Sequence, residues 1–383
     1  MRIGMITGEY PPMQGGVGAF THILAGEMVA QGNEVLVYTR KGATSTNLRI
    51  HLTPVVGNWG IGAVMGAARW AQDYQLDVVN VQYQTAAYGM SPIIHWLPDA
   101  LRPIPVITTF HDLRYPYLFP KAGRLRDWIV ARLAKASTGV IVTNHVDGQC
   151  LTHPRGLLIP IGSNIPRREN VNKQAYRAQA GALPDDFLIV FFGLINRSKG
   201  LDTLLESLAR LRDEGVPAHL AMVGGGAGSS DPTNVEIMRE IDAQIQRLYL
   251  ASLIHKTGYV DDATVSGYLR AADVVALPFA DGASYRRGSL MAALEHGCAT
   301  VTTTPQVEIS AFRDGANLYL VPPSDAAALA NALRHLYASP DDRARLRGGA
   351  LELGKRFNWA EIARSTVEWY RNVIGAAAGA KKV

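Results

Sequence analysis

Short apolar runs rich in β-branched residues alternate with segments of helical periodicity along nearly the whole chain. This alternation is typical of a parallel sheet with helices on both faces, because successive parallel strands must be joined by a crossover helix. It therefore restricts the chain to the α/β class. In the first half the pattern predicts helices at residues 17–31, 61–74 and 124–136, and strands at residues 3–7, 34–39, 48–52, 77–82, 105–110, 139–143 and 157–161.

The alternation is interrupted once, by a polar stretch that runs from Pro166 to Asp186. After it the pattern predicts helices at 201–212, 290–296, 326–337, 340–356 and 359–374, and strands at 187–192, 219–223, 254–258, 274–277, 300–303 and 318–321. A chain of 383 residues is long enough for two domains of ordinary size. We therefore predict two Rossmann-like, doubly wound parallel-sheet domains facing a cleft, at residues 1–165 and 166–358. Residues 359–383 are predicted to form a helix that crosses back to the first domain, followed by a tail.

The composition is that of a globular protein, with 48% hydrophobic and 19% charged residues. Only Cys150 and Cys298 are present, so no disulfide framework is expected and a reducing compartment is favoured. No signal-peptide pattern and no apolar run long enough to span a membrane occurs, which predicts a cytoplasmic location. The net charge of +5 does not call for a nucleic-acid partner.

One predicted helix is both basic and amphipathic, from Arg124 to Lys135. Such a helix can make a weak peripheral contact with the inner face of an anionic membrane. It can equally be a packed helix with a cationic outer face, and both interpretations stay open.

Several catalytic motifs are excluded. Gly16-Val17-Gly18 is followed by Thr21 where the dinucleotide fingerprint requires a third small residue, which disfavours hydride transfer. The segment at residues 349–355 imitates a phosphate-binding P-loop, but Arg356 replaces the required hydroxyl residue. Neither a nucleophile elbow nor a zinc-binding helix motif is present, and no two Asp residues stand two apart. We therefore expect no metal and no cofactor.

Three loops that directly follow predicted strands are suited to binding phosphate. The first contains Gly15 and Gly16 and opens a helix, so its backbone N–H groups and the helix dipole can face an anion. The second carries Arg197 and Lys199, whose charges suit a diphosphate.

The third of these loops leads through Gly288 and Ser289 into a helix for which Ser289 is the predicted N-cap. Taken singly, the three loops could be a tight turn, a solvated charged turn and a capped helix. Their common position after strands favours phosphate binding, because ligands of open parallel sheets lie beyond the carboxyl ends of the strands.

The chain resembles the retaining glycosyltransferases of family 4, and the resemblance extends over nearly its whole length. The motifs that carry it are, in order, residues 11–18, 108–111, 159–164, 191–200, 223–226, 257–260, 277–278, 288–297 and 357–359. The resemblance implies the two-domain GT-B fold, a nucleotide-sugar donor and retention of configuration at the transferred sugar. A front-face mechanism, in which the leaving phosphate accepts the proton of the acceptor, fits the lack of an obvious carboxylate nucleophile in these loops.

The resemblance also implies roles for single residues. Gly16 corresponds to the loop glycine beside the donor diphosphate and the acceptor, and His111 to the catalytic histidine that contacts the donor sugar. Arg197 and Lys199 correspond to the basic pair on the diphosphate, although Leu194 stands where the family usually has a further arginine. Gly258 and Tyr259 match the loop that holds the base.

The chain departs from the family at the acidic E-x7-E motif, whose two positions are Ser284 and Ala292. Glu295 can replace the second glutamate only in part, because it lies on a neighbouring face of the helix. Hydroxyl groups and the cations Arg286 and Arg287 still favour an altered grip on the donor sugar.

Three functions stay open on these grounds. The first is a glycosyltransferase with an unidentified carbohydrate, lipid or small-molecule acceptor. The second is a catalytically reduced nucleotide-sugar-binding or scaffold protein of the same fold, and the third is a sugar-nucleotide epimerase.

Overall fold

A computed structural model of the chain describes residues 1–13, 15–113, 123–225 and 233–380. The side chains at 123–126, 233–235 and 377–380 lie outside this description. The chain forms two compact units. The first consists of Met1–Gly162 together with Asn358–Val383, and the second of Ser163–Phe357. The predicted boundaries, after residues 165 and 358, lie three residues and one residue later than the observed boundaries, which follow Gly162 and Phe357.

The first unit, as far as it is described, is built on one parallel sheet of seven strands in the order β3-β2-β1-β4-β5-β6-β7. The order reverses between β1 and β4, and in such sheets the loops after these two strands border the binding crevice. The strands are β1 Arg2–Thr7, β2 Glu34–Arg40, β3 Ile50–Val56, β4 Val78–Tyr83, β5 Val106–Phe110, β6 Gly139–Val142 and β7 Gly156–Leu158. The helices before residue 162 are α1 Gly16–Ala30, α2 Ile61–Asp73, α3 Leu97–Ala100, α4 Gly123–Ala136 and α5 His145–Cys150.

The described part of the second unit contains a parallel sheet of six strands in the order β10-β9-β8-β11-β12-β13. Here the order reverses between β8 and β11. The strands are β8 Phe187–Phe192, β9 Ala218–Val223, β10 Ile254–Gly258, β11 Val274–Leu277, β12 Thr300–Thr303 and β13 Tyr319–Val321. The helices are α6 Lys173–Gln179, α7 Leu201–Asp213, α8 Thr233–Arg247, α9 Asp262–Ala271, α10 Gly288–Glu295, α11 Ala326–Ala338 and α12 Pro340–Gly354.

The central strands form because both of their faces are covered. All six residues of β4 and the first five of β8 are buried, as expected for strands between two helical layers. The helices present one apolar face each: in α7 the buried leucines include Leu204, Leu208 and Leu211, at the spacing of successive helical turns. The predicted class of two Rossmann-like parallel-sheet domains is confirmed.

The last helix, α13 Trp359–Ala380, belongs to the first unit. Gln31 at the end of α1 donates a hydrogen bond from Nε2 to the backbone oxygen of Ala360 (2.7 Å). The Trp359 ring meets the Phe20 ring edge to face at 5.2 Å, and Tyr370 is fully buried in the same core. No helix in the described ranges is both long enough and apolar enough to span a bilayer.

Two adjacent glycines in α12 provide a test of this packing. A Cβ added to Gly349 would lie 2.0 Å from the backbone oxygen of Ala316, whereas one added to Gly348 would have no atom within 4 Å. We predict that Gly348→Ala stabilises the protein by about 1 kcal/mol, because alanine is the better helix former. Gly349→Ala should destabilise it by about 1–3 kcal/mol through overpacking. Urea unfolding of both variants measures this difference, and equal effects would contradict the packing.

Candidate functional site

The loops after β8 and β11 meet around the ammonium group of Lys199. Its Nζ donates a hydrogen bond to the Ser289 Oγ (3.3 Å) and lies 5.2 Å from the centre of the Phe279 ring. Gly193, directly after β8, has φ +139°, and an added Cβ would be in van der Waals contact with this ammonium, 3.4 Å from Nζ. The structure thus brings together three of the residues predicted to bind phosphate, namely Lys199, Gly288 and Ser289.

Arg287, in the loop after β11, lies beside this ammonium group, and Arg286 precedes it in the same loop. The guanidinium of Arg287 stacks on the Phe279 ring at 4.6 Å and donates to the Ser198 Oγ (3.2 Å). Arg286 and Arg287 both form ion pairs with Asp281, at 2.9 Å for Arg286. Together with Lys199, these arginines give the loops three cations to the one carboxylate of Asp281, a positive excess that suits a multiply charged anion.

This environment changes the proton affinity of the lysine. Burial lowers the pKa of Lys199 to about 7, and repulsion from Arg287 acts in the same direction. A diphosphate beside Nζ would raise the pKa again, because a nearby negative charge favours the ammonium form. The Lys199 ammonium group is thus suited to stabilising a negative charge that develops beside it.

The prediction that Ser289 caps α10 is wrong. The N-cap is Arg287, whose backbone oxygen accepts hydrogen bonds from the N–H groups of Leu290 (2.9 Å) and Met291 (3.0 Å). Gly288 and Ser289 are instead the first two helical residues. Their amides belong to the first turn, where N–H groups have no acceptor within the helix and carry the positive end of its dipole. The Ser289 hydroxyl accepts from Lys199 instead of capping.

The two loops are held together by a close backbone approach. Gly200 has φ +64°, and a Cβ there would lie 1.9 Å from the backbone oxygen of Pro278. The N–H of Ala280 donates to the Ser198 oxygen (3.1 Å) across the same junction. Only glycine fits at residue 200, and the junction fixes the turn that carries Lys199.

Other predicted residues of this unit lie apart from Lys199. Arg197 is 66% exposed and forms an ion pair with Glu240 (2.8 Å). Glu295 lies at the opposite end of α10 from Gly288, about 10 Å away at the helical rise of about 1.5 Å per residue. The structure therefore brings neither residue to the ammonium group.

The positions of the E-x7-E motif are both buried. Ser284 is 6% exposed, and its Oγ has no hydrogen-bond partner among the described residues. Ala292 is fully buried inside α10. A buried hydroxyl without a partner costs free energy, so Ser284 is available to a bound polar group.

The loop after β10 contains the residues predicted to hold the base. Gly258 has φ +65° and forms an antiparallel bridge with Gly224, the residue after β9. Tyr259 follows with its side chain 70% exposed. An open aromatic ring at the carboxyl edge of a parallel sheet is suited to stacking on a planar group.

In the first unit, His111 follows β5 and is fixed by a chain of buried amides. The Asn80 Nδ2 donates to the backbone oxygen of Ile107 (3.0 Å) and to the Thr109 Oγ1 (2.9 Å), so its Oδ1 must accept. The Gln82 Nε2 donates to that Oδ1, and the Gln82 Oε1 accepts from the His111 Nε2 at 2.7 Å. The proton is therefore on Nε2, and Nδ1 carries the lone pair.

The imidazole is kept neutral as well as oriented. Burial lowers the pKa of His111 to about 3. The ring packs edge to face on Phe20 at 4.6 Å, which limits its rotation. The arrangement presents a neutral hydrogen-bond acceptor, Nδ1, after the carboxyl end of β5.

The loop after β1 contains an acid of its own. The Glu9 carboxylate accepts a hydrogen bond from the backbone N–H of Gly18 in the first turn of α1. A Cβ on Gly15 would lie 2.0 Å from the Glu9 Oε2, whereas Gly16 has open space around it. Burial raises the pKa of Glu9, and no acceptor or donor among the described residues meets its Oε2. The N-terminal end of α1 thus already holds an acidic group, and this favours binding of a hydroxyl over binding of a second anion.

Sequence reasoning missed Glu9, Asn80, Gln82 and Asp281. A signal for two of them was present, because Asn80 and Gln82 are amides at alternate positions of an otherwise apolar buried strand. No group of three or more metal-ligating side chains occurs within the described ranges. The expectation that no metal is needed stays a prediction.

Two family models match the chain. The model described as "Glycosyl transferase 4-like domain" matches residues 15–155, and "Glycosyl transferases group 1" matches residues 186–339. The matches fall one in each half of the chain and include most of the loops described above.

Among curated relatives, the phosphatidyl-myo-inositol mannosyltransferase of Mycobacterium leprae is 26% identical over 404 residues, covering 100% of this chain and 99% of the relative. A D-inositol 3-phosphate glycosyltransferase of Catenulispora acidiphila is 28% identical over 222 residues. That match covers 56% of this chain and spans about half of the relative, 49%. Among solved structures, the Anabaena protein HepE in complex with UDP-glucose has a TM-score of 0.77 at 18% identity, covering 96% of this chain and 98% of HepE.

The state of His111 leads to a prediction about pH. We expect its ring to remain neutral, with the proton on Nε2, from pH 8 down to about pH 5, because burial lowers the pKa to about 3. Nitrogen-15 NMR of histidine-labelled protein reports both the tautomer and the charge. A transition of the His111 signals near pH 6.5, the ordinary value, would contradict the burial.

The same shift fixes the sign of a stability effect. Between about pH 6.5 and pH 3 the unfolded chain binds a proton at His111 that the folded chain does not. The free energy of unfolding should therefore fall as the pH drops through this window. His111→Gln should show a smaller fall.

Proposed function

Because the chain belongs to the family 4 glycosyltransferases of the GT-B fold, we propose that it transfers a sugar from a nucleotide-sugar donor to a hydroxyl-bearing acceptor with retention of configuration. The observation that carries the proposal is the half-buried Lys199 beside Ser289 and Arg287. It is a cationic pocket at the first turn of a helix, after the strands at which the sheet order reverses.

The donor diphosphate binds at this pocket. Lys199 and Arg287 supply charge, and the first-turn amides of Gly288 and Ser289 supply N–H donors aligned with the helix dipole. Asp281 orients Arg287 and neutralises part of its positive charge. HepE, which shares the fold, has been solved with UDP-glucose, and this supports a nucleotide sugar as the donor here.

The nucleoside and the sugar occupy the adjoining loops. The exposed ring of Tyr259, after Gly258, stacks on the base. The buried hydroxyl of Ser284 bonds a sugar hydroxyl, in place of the acidic residue that the family has at this position. Glu295 takes no part in this arrangement, because it lies at the far end of α10.

Charge development decides how these residues catalyse. When the bond between the anomeric carbon and the phosphate oxygen breaks, negative charge grows on the leaving diphosphate. Lys199 and Arg287 stabilise that growing charge more strongly than they stabilise the bound donor. The acceptor oxygen bonds to the anomeric carbon on the same face, and its proton passes to the leaving phosphate oxygen. Such a step needs no protein nucleophile and retains the configuration.

His111 positions the transferred sugar. Its neutral Nδ1 accepts a hydrogen bond from a sugar hydroxyl, and the Gln82–Asn80 chain keeps that lone pair available. A cationic imidazole could only donate, so the depressed pKa serves this role.

The acceptor is proposed to be a polyol. The acid of Glu9 beneath Gly15, with open space at Gly16, favours neutral hydroxyl groups over a phosphate at the start of α1. Two relatives are named for inositol-containing acceptors. Inositol phosphate and phosphatidylinositol are therefore the first acceptors to test.

Weak contact with an anionic membrane is a separate proposal. On α4, Trp128 is 55% exposed, and a cavity of about 460 Å³ nearby is lined by Ile61, Met65 and Trp96 among others. Arg132 of the predicted basic helix forms an ion pair with Asp99 (2.8 Å). The side chains of Arg124, at the start of that helix, and of residues 125 and 126 lie outside the described residues. Co-sedimentation with phosphatidylglycerol vesicles at low salt tests the membrane contact. Protein that stays in the supernatant would contradict this proposal.

The decisive experiment is product analysis. The protein is incubated with a panel of nucleotide sugars and the inositol acceptors, and proton NMR compares the anomeric configuration of product and donor. Transfer with retention supports the proposal. An inverted product, or binding of every donor without turnover, would contradict it.

A pair of variants tests the diphosphate site. Lys199→Ala should lower turnover by a factor of about 10² to 10³, the typical effect of losing one electrostatic stabiliser, with a smaller loss of donor affinity. Arg197→Ala is the matched control, because Arg197 is exposed and paired with Glu240. It should change turnover by less than about threefold, as expected for an exposed ion pair. Steady-state kinetics and a melting curve for each variant separate catalysis from folding, and equal losses in both would refute the assignment.

A further inference from the structure

A second group of cations lies in the second unit, away from the donor pocket. We call it the basic cluster: Arg167, Lys173, Arg270 and Arg347. Arg167 belongs to the segment that leads into α6, Lys173 is the first residue of α6, Arg270 lies at the end of α9 and Arg347 lies in α12. All four act electrostatically on the thiol of Cys298, so they converge on one place.

The basic cluster lies at the opposite edge of the sheet from Lys199. Arg270 ends the helix that precedes β11, and Arg347 donates to the backbone oxygens of Ala272 and Asp273 (both 3.1 Å), directly before that strand. Lys199 and Ser289 follow strands instead. A nucleotide sugar at the carboxyl edge therefore leaves the basic cluster unused.

The basic cluster has too little negative charge to balance it. In the described part of the chain its only ion-pair partner is Glu169, at 3.3 Å from the Arg167 Nε and 3.9 Å from the Arg270 Nη2. That carboxylate is 72% exposed, so solvent weakens both pairs. The nearby carboxylate of Asp273 is held by Arg177 (2.7 Å). Four cations thus share one exposed carboxylate.

Two of the donors are also buried without a well-aligned acceptor. The Arg270 Nε is inaccessible to solvent and makes no hydrogen bond within the described residues, and the equally inaccessible Arg167 Nε has only the Glu169 carboxylate at 3.3 Å, outside hydrogen-bond geometry. Buried donors of this kind are rare in folded proteins, because each gives up its bond to water and gains nothing in return. An oxyanion bound to these guanidinium groups, whose side chains are 25% and 20% exposed, would neutralise the excess charge.

The thiol at the centre does not explain the arrangement. Burial raises the pKa of Cys298 to about 12 despite the four cations, and its Sγ donates to the Leu269 oxygen (3.3 Å). The thiol is therefore protonated and inert, and the cations do not serve to activate it.

We propose that the basic cluster is a second anion site, which binds the phosphoryl group of a small phosphorylated molecule. Partial burial lowers the pKa of Lys173, and repulsion from the three arginines acts in the same direction, which is consistent with four cations close together. Phosphoryl oxygens match the guanidinium donors in geometry, and the partial burial of the Arg167 and Arg270 side chains favours a small free ligand over a flat surface. This site does not depend on the proposed transfer reaction.

Titration calorimetry with inorganic phosphate tests the site in four proteins. The Lys173→Met/Arg270→Met variant should bind phosphate at least about tenfold more weakly than the wild type, because two charged donors are removed. Arg210→Met/Lys41→Met, which removes the same charge from exposed positions, should bind like the wild type. Lys199→Ala should retain the site. If Lys199→Ala abolishes all phosphate binding, the basic cluster is refuted while the donor pocket stands.

Two further measurements complete the test. Lys173→Met alone, at an exposed position, replaces the double variant if melting curves show that the latter does not fold. Vesicles of phosphatidylcholine with phosphatidic acid distinguish the source of the phosphoryl group. Phosphate binding without vesicle binding supports a free ligand, and vesicle binding that the double variant loses would assign the site to a lipid headgroup. Unchanged phosphate affinity in both cluster variants would overturn the proposal.

Discussion

The donor pocket of the second unit depends on one close approach, between the backbone of Gly200 and the carbonyl of Pro278. A side chain at residue 200 would overlap that oxygen, since even a Cβ would lie 1.9 Å away. The approach joins the turn after β8 to the loop after β11, and it sets the direction in which Lys199 leaves the backbone. Ser198, one residue earlier, bonds both Ala280 and Arg287. The lysine ammonium lies over the Phe279 ring, and its altered pKa follows from the loss of solvent around it there.

The His111 site and the Lys199 site show opposite effects of burial on a titratable side chain. At His111 burial removes a charge, and the amide chain to Asn80 then fixes which nitrogen is bare. At Lys199 burial leaves a cation short of negative charge, so the group gains stability when a phosphate arrives. Both arrangements reduce the stability of the protein alone, which is common where residues are retained for function.

Much of the fold could be predicted from the sequence, because a buried parallel strand is a short apolar run with polar or glycine boundaries. The predicted limits of β8, β10, β11 and β12 agree with the structure to the residue. The short helices α3, α5 and α6 were missed, since four to seven residues make too few turns to show a period. The longer helices α8 and α9 were missed as well.

The candidate site could be predicted less completely. Sequence order places Arg197 and Lys199 after the same strand, but it cannot say that Glu240 from a distant helix draws the arginine away. The capping prediction for Ser289 was wrong because the helix begins two residues earlier than the hydroxyl suggests. Partners such as Asp281 and Gln82 depend on side-chain directions, which spacing along the chain does not encode.

The packing of α13 has a consequence for how the protein is made. His111 rests on Phe20, and Phe20 rests on Trp359, the first residue of that last helix. A ribosome therefore has to finish the whole second unit before it supplies the side chain that supports the first. The nascent first unit waits with the face that later binds Trp359 and Tyr370 uncovered, a stage at which exposed apolar surface invites chaperones or aggregation. The order of synthesis thus makes the histidine's surroundings the last part of the first unit to be completed.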